Sequence, residues 1–197
     1  MSTSSRGFTL IEVLLVVTIM AILSVGAFSG MVSLQRSARV NETHSRLVTF
    51  LDLARNYALN GKQVSSSSCP SGSTECVPSV FGVGVLSSGE KCPAQSGGIL
   101  LYYAMSDQFS VINENHILDL YCIPAKVNVE FPEASLGSVQ KFQYSTPFGL
   151  FRAQYIDEKN TTASALTITI CEKNNFTCAA SSLSKSLTLY TNVGVPE

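Results

Sequence analysis

Glu12 is the one ionisable side chain between Phe8 and Leu34. A carboxylate inside an apolar helix costs about 2.5–3.5 kcal/mol near the centre of a bilayer, so such a group usually has a partner and a task. Arg6 and Gly7 stand just upstream. A secretory signal carries its small-residue cleavage site after the apolar region, whereas here the small residue precedes it. A cut after Gly7 would leave the apolar helix on the mature chain. It would also give Phe8 a free amine, with an ordinary pKa of about 7.7–8.0 and hence mostly protonated at neutral pH. Glu12 follows about one helical turn later. Its carboxylate is placed to pair with that amine, in its own chain or in a neighbouring copy, and pairing between copies would set an axial register.

The second set of reactive residues is Cys69, Cys76, Cys92, Cys122, Cys171 and Cys178. All follow the apolar segment, and Arg6 before it favours a cytoplasmic N-terminus, so the cysteines are expected outside the cytoplasm. An even number in that compartment suggests disulfides. Structural zinc is the competing reading, but it favours cysteines two to four residues apart with further ligands nearby. The close pairs here are seven apart, and His44 and His116 are far from both. Pairing by sequence proximity joins Cys69 to Cys76, Cys171 to Cys178, and Cys92 to Cys122.

No nucleophile constellation, phosphate-binding glycine loop or metal-ligand spacing is present, so the expectation is a protein that is not an enzyme and takes no cofactor and no metal. The two histidines carry no motif and read as surface or packing residues. Asn41, Asn160 and Asn175 each open an N-glycosylation sequon, a pattern short enough to arise by chance. Charged residues make up 14% of the chain and net charge is −1. Arg6 and Glu12 are the only charges in the first 34 residues, so the balance is the same without them. A protein that binds nucleic acid through its whole surface is usually strongly basic, and this one is not.

These residues need elements to position them. Phe8 to Leu34 is long enough to cross a bilayer as a helix, for which about 20 apolar residues suffice; a plain single-pass anchor or an uncleaved signal sequence would share that pattern. Beyond it, Leu34, Ala38, Leu47, Val48, Leu51, Ala54, Ala58 and Leu59 recur mostly at helical spacings. Arg36, Arg39, Glu42, Arg46, Asp52 and Arg55 stand between them. Asn60-Gly61 then supplies a helix stop. A helix from Phe8 to Asn60 would be about 80 Å long. Gly26 and Gly30 within it suit close helix packing or local unwinding, and equally the ordinary frequency of glycine in membrane helices.

After Asn60 the pattern changes to short strand-like runs divided by turns. Expected strands are 80–86, 98–105, 108–112, 117–122, 127–131, 141–144, 166–171 and 187–191, with a flexible loop over 65–73. Phe81, Tyr102, Phe109, Tyr121, Phe131, Phe142 and Phe148 are expected to fill the core. The fold class is therefore α+β, a long N-terminal helix packed on a mainly antiparallel β head. Its expected organisation is a leader over 1–7, a transmembrane helix half over 8–34, an amphipathic half over 35–60 and a β-rich head over 61–197.

Gly7-Phe8-Thr9-Leu10-Ile11-Glu12 followed by an apolar helix resembles the class III signal of type IV prepilins and type II secretion pseudopilins. The resemblance implies cleavage after Gly7 by a prepilin peptidase, N-methylation of Phe8, and Glu12 as the acidic fifth residue of the mature chain, serving assembly. It implies storage in the inner membrane with the head outside the cytoplasm, then assembly with other pilin or pseudopilin subunits into a filament. A long helix on a β head is also the pilin shape.

Residues 50–64, Phe142 to Gly149 and Leu187 to Gly194 further resemble the helix end and late strand-then-glycine segments of GspH/FimT-type minor pseudopilins. Some of that type bind DNA through arginines near the C-terminus. Here the tail Asn192 to Glu197 holds no arginine; Lys185 is the nearest cation, and Arg152 follows the earlier Gly149. Phosphate contacts supply most non-specific DNA affinity, so Arg152 and Lys185 are thin candidates for DNA contact. A structural minor subunit, a filament-borne binding module for DNA, surfaces or secreted cargo, and a major pilin are the readings the resemblance leaves open.

Overall fold

The structure is a computed structural model that describes residues 9–65, 69, 73–86, 91–92, 97–105, 116–130, 140–154, 165–172, 178 and 183–190. The chain divides into two compact units, Met1–Ala38 and Arg39–Glu197. One helix, α1 (Leu10–Asn60), is continuous through the boundary.

In the first unit the large apolar side chains of α1 from Leu10 to Leu34 are exposed. Gly26 and Gly30 have open space where a side chain would stand, and the helix continues unbroken through both. Two hydroxyls of this stretch bond within the helix. Thr18 Oγ1 donates to the Leu14 and Leu15 carbonyls, at 2.9 and 2.8 Å, and Ser24 Oγ to that of Met20 at 2.7 Å. Polar groups satisfied inside the helix leave its outer surface apolar.

In the second unit α1 buries one face, formed by Val40, Thr43, Leu47, Phe50, Leu51, Ala54 and Ala58. The spacing is helical, but the face is rotated from the expected one. Leu34, Ala38 and Leu59 are exposed and Val48 is half-buried, while Val40 and Phe50 are core. Thr43 is accommodated because its hydroxyl donates to the Arg39 carbonyl at 3.0 Å. The helix ends as its Asn60-Gly61 pair predicts: Gly61 takes φ +58°, and the Lys62 N–H donates to the Tyr57 carbonyl at 3.1 Å. A six-to-one bond across a left-handed glycine is the Schellman stop.

Among the described residues ten strands follow: β1 (Val64–Ser65), β2 (Glu75–Cys76), β3 (Val80–Leu86), β4 (Gly98–Ala104), β5 (Ile117–Cys122), β6 (Val127–Glu130), β7 (Gln140–Ser145), β8 (Leu150–Gln154), β9 (Ala165–Glu172) and β10 (Ser184–Tyr190). They form a two-stranded ribbon β1-β2, a five-stranded sheet in the order β5-β4-β3-β7-β8, and a three-stranded sheet in the order β10-β9-β6. Every pairing is antiparallel. β3 and β4 are central and almost wholly buried, which explains their near-continuous apolar runs. β9 and β10 alternate, with Ile168, Ile170, Leu187 and Leu189 buried and Leu187 opposite Ile168 in the ladder. These residues join the helix face and Phe81, Val83, Ile99, Leu101, Phe142 and Tyr144 in one apolar core. Tyr57 meets Phe81 edge-on, with ring centroids 5.6 Å apart.

Of the expected core aromatics, Phe81, Tyr102 and Phe142 are buried and Tyr121 is half-buried. Phe148 is the correction, at 74% exposed. It sits on the turn between β7 and β8, a strand the sequence reading did not anticipate, so the chain reverses there and turns Phe148 outward. Phe109, Phe131 and the expected strand 108–112 lie outside the described residues.

Candidate functional site

The described part of the N-terminal motif begins at Thr9, immediately before α1. The Glu12 Oε2 atom accepts the Thr9 N–H and the Thr9 hydroxyl, each at 3.0 Å. The Glu12 N–H faces Thr9 in return, 3.1 Å from its carbonyl and 3.4 Å from its hydroxyl. Thr at the helix cap and Glu three residues on form a capping box, which satisfies backbone donors left open in the first turn. A carboxylate at this end also suits the positive pole of the helix dipole.

Glu12 therefore has a local partner that the sequence reading did not assign. The Thr9-x-x-Glu12 spacing before an apolar run is itself the capping-box signature and could have revealed it. Gly7 and Phe8, the expected processing residues, lie outside the described residues. What the described geometry does is present a carboxylate at the first turn of a helix whose following apolar surface is exposed to Leu34. Among the described residues, α1 is the helix long and apolar enough to cross a membrane.

The cysteines are paired within the second unit, Cys69 to Cys76, Cys92 to Cys122 and Cys171 to Cys178. Glu130 approaches the last pair, its Oε2 accepting the Cys178 N–H at 2.8 Å while Asn128 donates to its Oε1 at 2.9 Å. Glu130, Cys171 and Cys178 lie close enough together to suggest a metal cluster, but both sulfurs are committed to each other and are not thiolate ligands. The Cys92–Cys122 bridge closes over β4. Gly98 stands opposite Cys122 in the ladder, and a Cβ at Gly98 would lie 3.2 Å from Cys92 Sγ.

The two candidate DNA contacts are not on one element. Arg152 is in β8 opposite Gln143, at the margin of the five-stranded sheet. Lys185 is exposed in β10, at the margin of the three-stranded sheet. Lys185 adjoins His44 on α1, where burial and then the lysine charge lower the histidine's pKa. Arg46 lies over the Tyr121 ring at 5.7 Å and Lys62 over Tyr57 at 3.6 Å, so two of the remaining cations are engaged with aromatic faces.

Residues 2–28 match the family model of the prokaryotic N-terminal methylation motif. No curated protein and no solved structure matches the chain. The match covers the capping box and most of the apolar stretch of α1, and with it the chain carries the class III signal that is the signature of type IV pilin-like proteins.

Proposed function

We propose that the chain is a structural subunit, a minor pilin or pseudopilin of the GspH/FimT type, of a type IV pilus-like or type II secretion filament. The observation that carries this reading is a matched methylation motif on a helix whose large apolar side chains from Leu10 to Leu34 are exposed. A prepilin peptidase cuts after Gly7 and Phe8 is N-methylated. The Leu10–Leu34 stretch first holds the subunit in the inner membrane and then enters a filament core, where it exchanges lipid for the same stretch of other subunits.

Glu12 has two roles in sequence. Before assembly its carboxylate is occupied by Thr9, so the first turn is ordered and the charge is partly satisfied in an apolar setting. After cleavage the new Phe8 amine is a stronger partner than a neutral N–H, since its positive charge adds Coulombic attraction to the carboxylate. Transfer of the carboxylate to the amine of an adjacent subunit couples processing to register.

The deciding experiment is mass spectrometry of the N-terminus after co-expression with a prepilin peptidase. A methylated Phe8 with residues 1–7 missing is expected; an intact leader, or a cut beyond Leu34, would overturn the reading. In the same cells Glu12→Ala is expected to be processed yet absent from sedimented filaments.

A further inference from the structure

β6 and β9 run antiparallel, with Asn128 opposite Cys171 and Glu130 opposite Thr169. Alternate side chains of a strand point to opposite faces, so these four share the face turned away from the one that places Ile168 and Ile170 in the core. Cys178 closes onto the same face, its Sγ atom 3.8 Å from the Thr169 carbonyl. Strand pairing thus carries a carboxylate to a cysteine pair that is distant in sequence. A Glu130 oxygen and the sulfurs of Cys171 and Cys178 all lie within 4.8 Å of one another, a grouping of metal-ligating atoms found here among the described residues.

Both oxygens of Glu130 are held in place. Oε2 accepts the Cys178 N–H at 2.8 Å and Oε1 accepts from Asn128 Nδ2 at 2.9 Å. A carboxylate offers about four lone-pair sites, so each oxygen keeps capacity for a further bond. Neighbours that orient a ligating carboxylate in this way are what a metal site requires outside its ligands. The two cysteines are enclosed as well, at 1 and 3% exposed.

In the oxidised chain the two sulfurs bond each other. A disulfide is made from two thiols, so every copy of the chain first exists with Cys171 and Cys178 reduced. In that state the same strands offer two sulfurs and a carboxylate to a cation. Tetrahedral zinc, with Zn–S bonds of about 2.3 Å, holds two sulfurs about 3.8 Å apart, which sulfurs no longer joined can reach. The donors select the metal: thiolates suit zinc or copper(I), a carboxylate does not suit copper(I), and magnesium and calcium take oxygen shells. Spacing along the chain argued against zinc, but the third ligand comes from across the sheet.

We propose that the reduced chain binds one Zn²⁺ through Cys171, Cys178 and Glu130, with Asn128 orienting the carboxylate. The two thiols release their protons to solvent as the two Zn–S bonds form, and no electron is transferred. The consequence is for pairing. Six cysteines permit 15 connectivities, and reserving one pair leaves three for the other four. A disulfide oxidant then takes two electrons from the bound thiolates and, with two protons, becomes two thiols; Cys171 and Cys178 join and Zn²⁺ is released. The inference is independent of the filament reading.

The test uses the untagged full-length chain in detergent. A phosphine reduces the disulfides, taking oxygen from water to become the phosphine oxide, and is then removed without air. Zinc is titrated against a chromophoric chelator, and the complex is weighed by native mass spectrometry. One zinc per reduced chain is expected, and none on the oxidised chain. Asn128→Ala is expected to weaken binding about tenfold and Glu130→Gln by more, while Cys69→Ser combined with Cys76→Ser leaves it unchanged. Timed alkylation of the wild-type chain reads the site without any substitution: zinc is expected to slow labelling of Cys171 and Cys178 selectively. No zinc on the reduced chain overturns the proposal. So does undiminished binding by Glu130→Gln, or protection that falls on other cysteines or on all six alike.

Discussion

The Tyr102 ring lies directly over Gly82: a Cβ at Gly82 would fall 2.6 Å from Tyr102 Cζ and 2.5 Å from the Phe142 carbonyl oxygen. Gly82 is opposite Tyr102 on one side and Gln143 on the other, so the phenol lies across a position that has no side chain. Gly82→Ala is expected to destabilise the protein by about 2–3 kcal/mol. The gain of about 0.5–1 kcal/mol from removing a strand glycine is too small to offset a collision with backbone. Urea unfolding of the full chain in detergent measures it; a change below 0.5 kcal/mol would show that the ring moves freely aside.

The same ring carries a poorly compensated group. Tyr102 Oη and Gln143 Oε1 are buried and neither makes a well-formed hydrogen bond; burial pushes the Tyr102 pKa well above the usual phenol range, and the contact with Gln143 offsets this only in part. Removing a buried hydroxyl so weakly bonded sheds a desolvation cost. Tyr102→Phe is therefore expected to leave stability unchanged or raise it by up to about 1 kcal/mol. A loss of that size in the same unfolding assay would mean the hydroxyl is bonded.

The three disulfides are expected to differ in worth. Cys92 and Cys122 are 30 residues apart, and Cys171 and Cys178 are seven apart. Loop-closure entropy gives about 3–4 kcal/mol for the first and about 2 kcal/mol for the second. Burial points the other way, since Cys171 and Cys178 are the more enclosed, at 1 and 3% exposed against 8% for Cys92. Paired Cys→Ala variants compared by denaturant midpoint decide between them, and a greater loss from the 171–178 pair would refute the entropic ordering.

His44 predicts a pH response. Its folded pKa lies below the ordinary value, through burial first and the Lys185 charge second. The unfolded chain therefore takes up the proton first as pH falls. The stability linked to His44 is fully present above about pH 6.5 and is lost on acidification through the folded pKa. His44→Gln is expected to flatten the stability profile between about pH 7 and pH 5, and Lys185→Gln to flatten it less. Unchanged profiles for both variants would refute the linkage.

The N-terminal site was legible in the sequence because it is local. Gly7, Phe8, Thr9 and Glu12 are chain neighbours, and a helix brings Thr9 to Glu12 at the spacing the sequence already shows. The Asn60-Gly61 stop and the runs that became β3, β4, β5 and β9 were legible for the same reason, since a left-handed glycine and a buried apolar strand leave marks within a few residues. The face of α1 was less so. Its period could be read, but whether Val40 or Leu34 lies on the buried side depends on where the sheets begin to cover the helix.

What the sequence determined on its own is the class III signal, the apolar helix behind it and an α+β chain. The tertiary structure alone decided which apolar side chains remain outside. Phe148 reads as core, and it stands exposed beside Leu150 because β7 and β8 pair across the turn between them. Tyr102 over Gly82 likewise depends on β4, β3 and β7 being adjacent, though β3 and β7 are more than 50 residues apart in the chain. Hydrophobicity is a property of a residue and is written in the sequence. Burial is a property of what packs against it, and that is set by contacts between segments far apart along the chain.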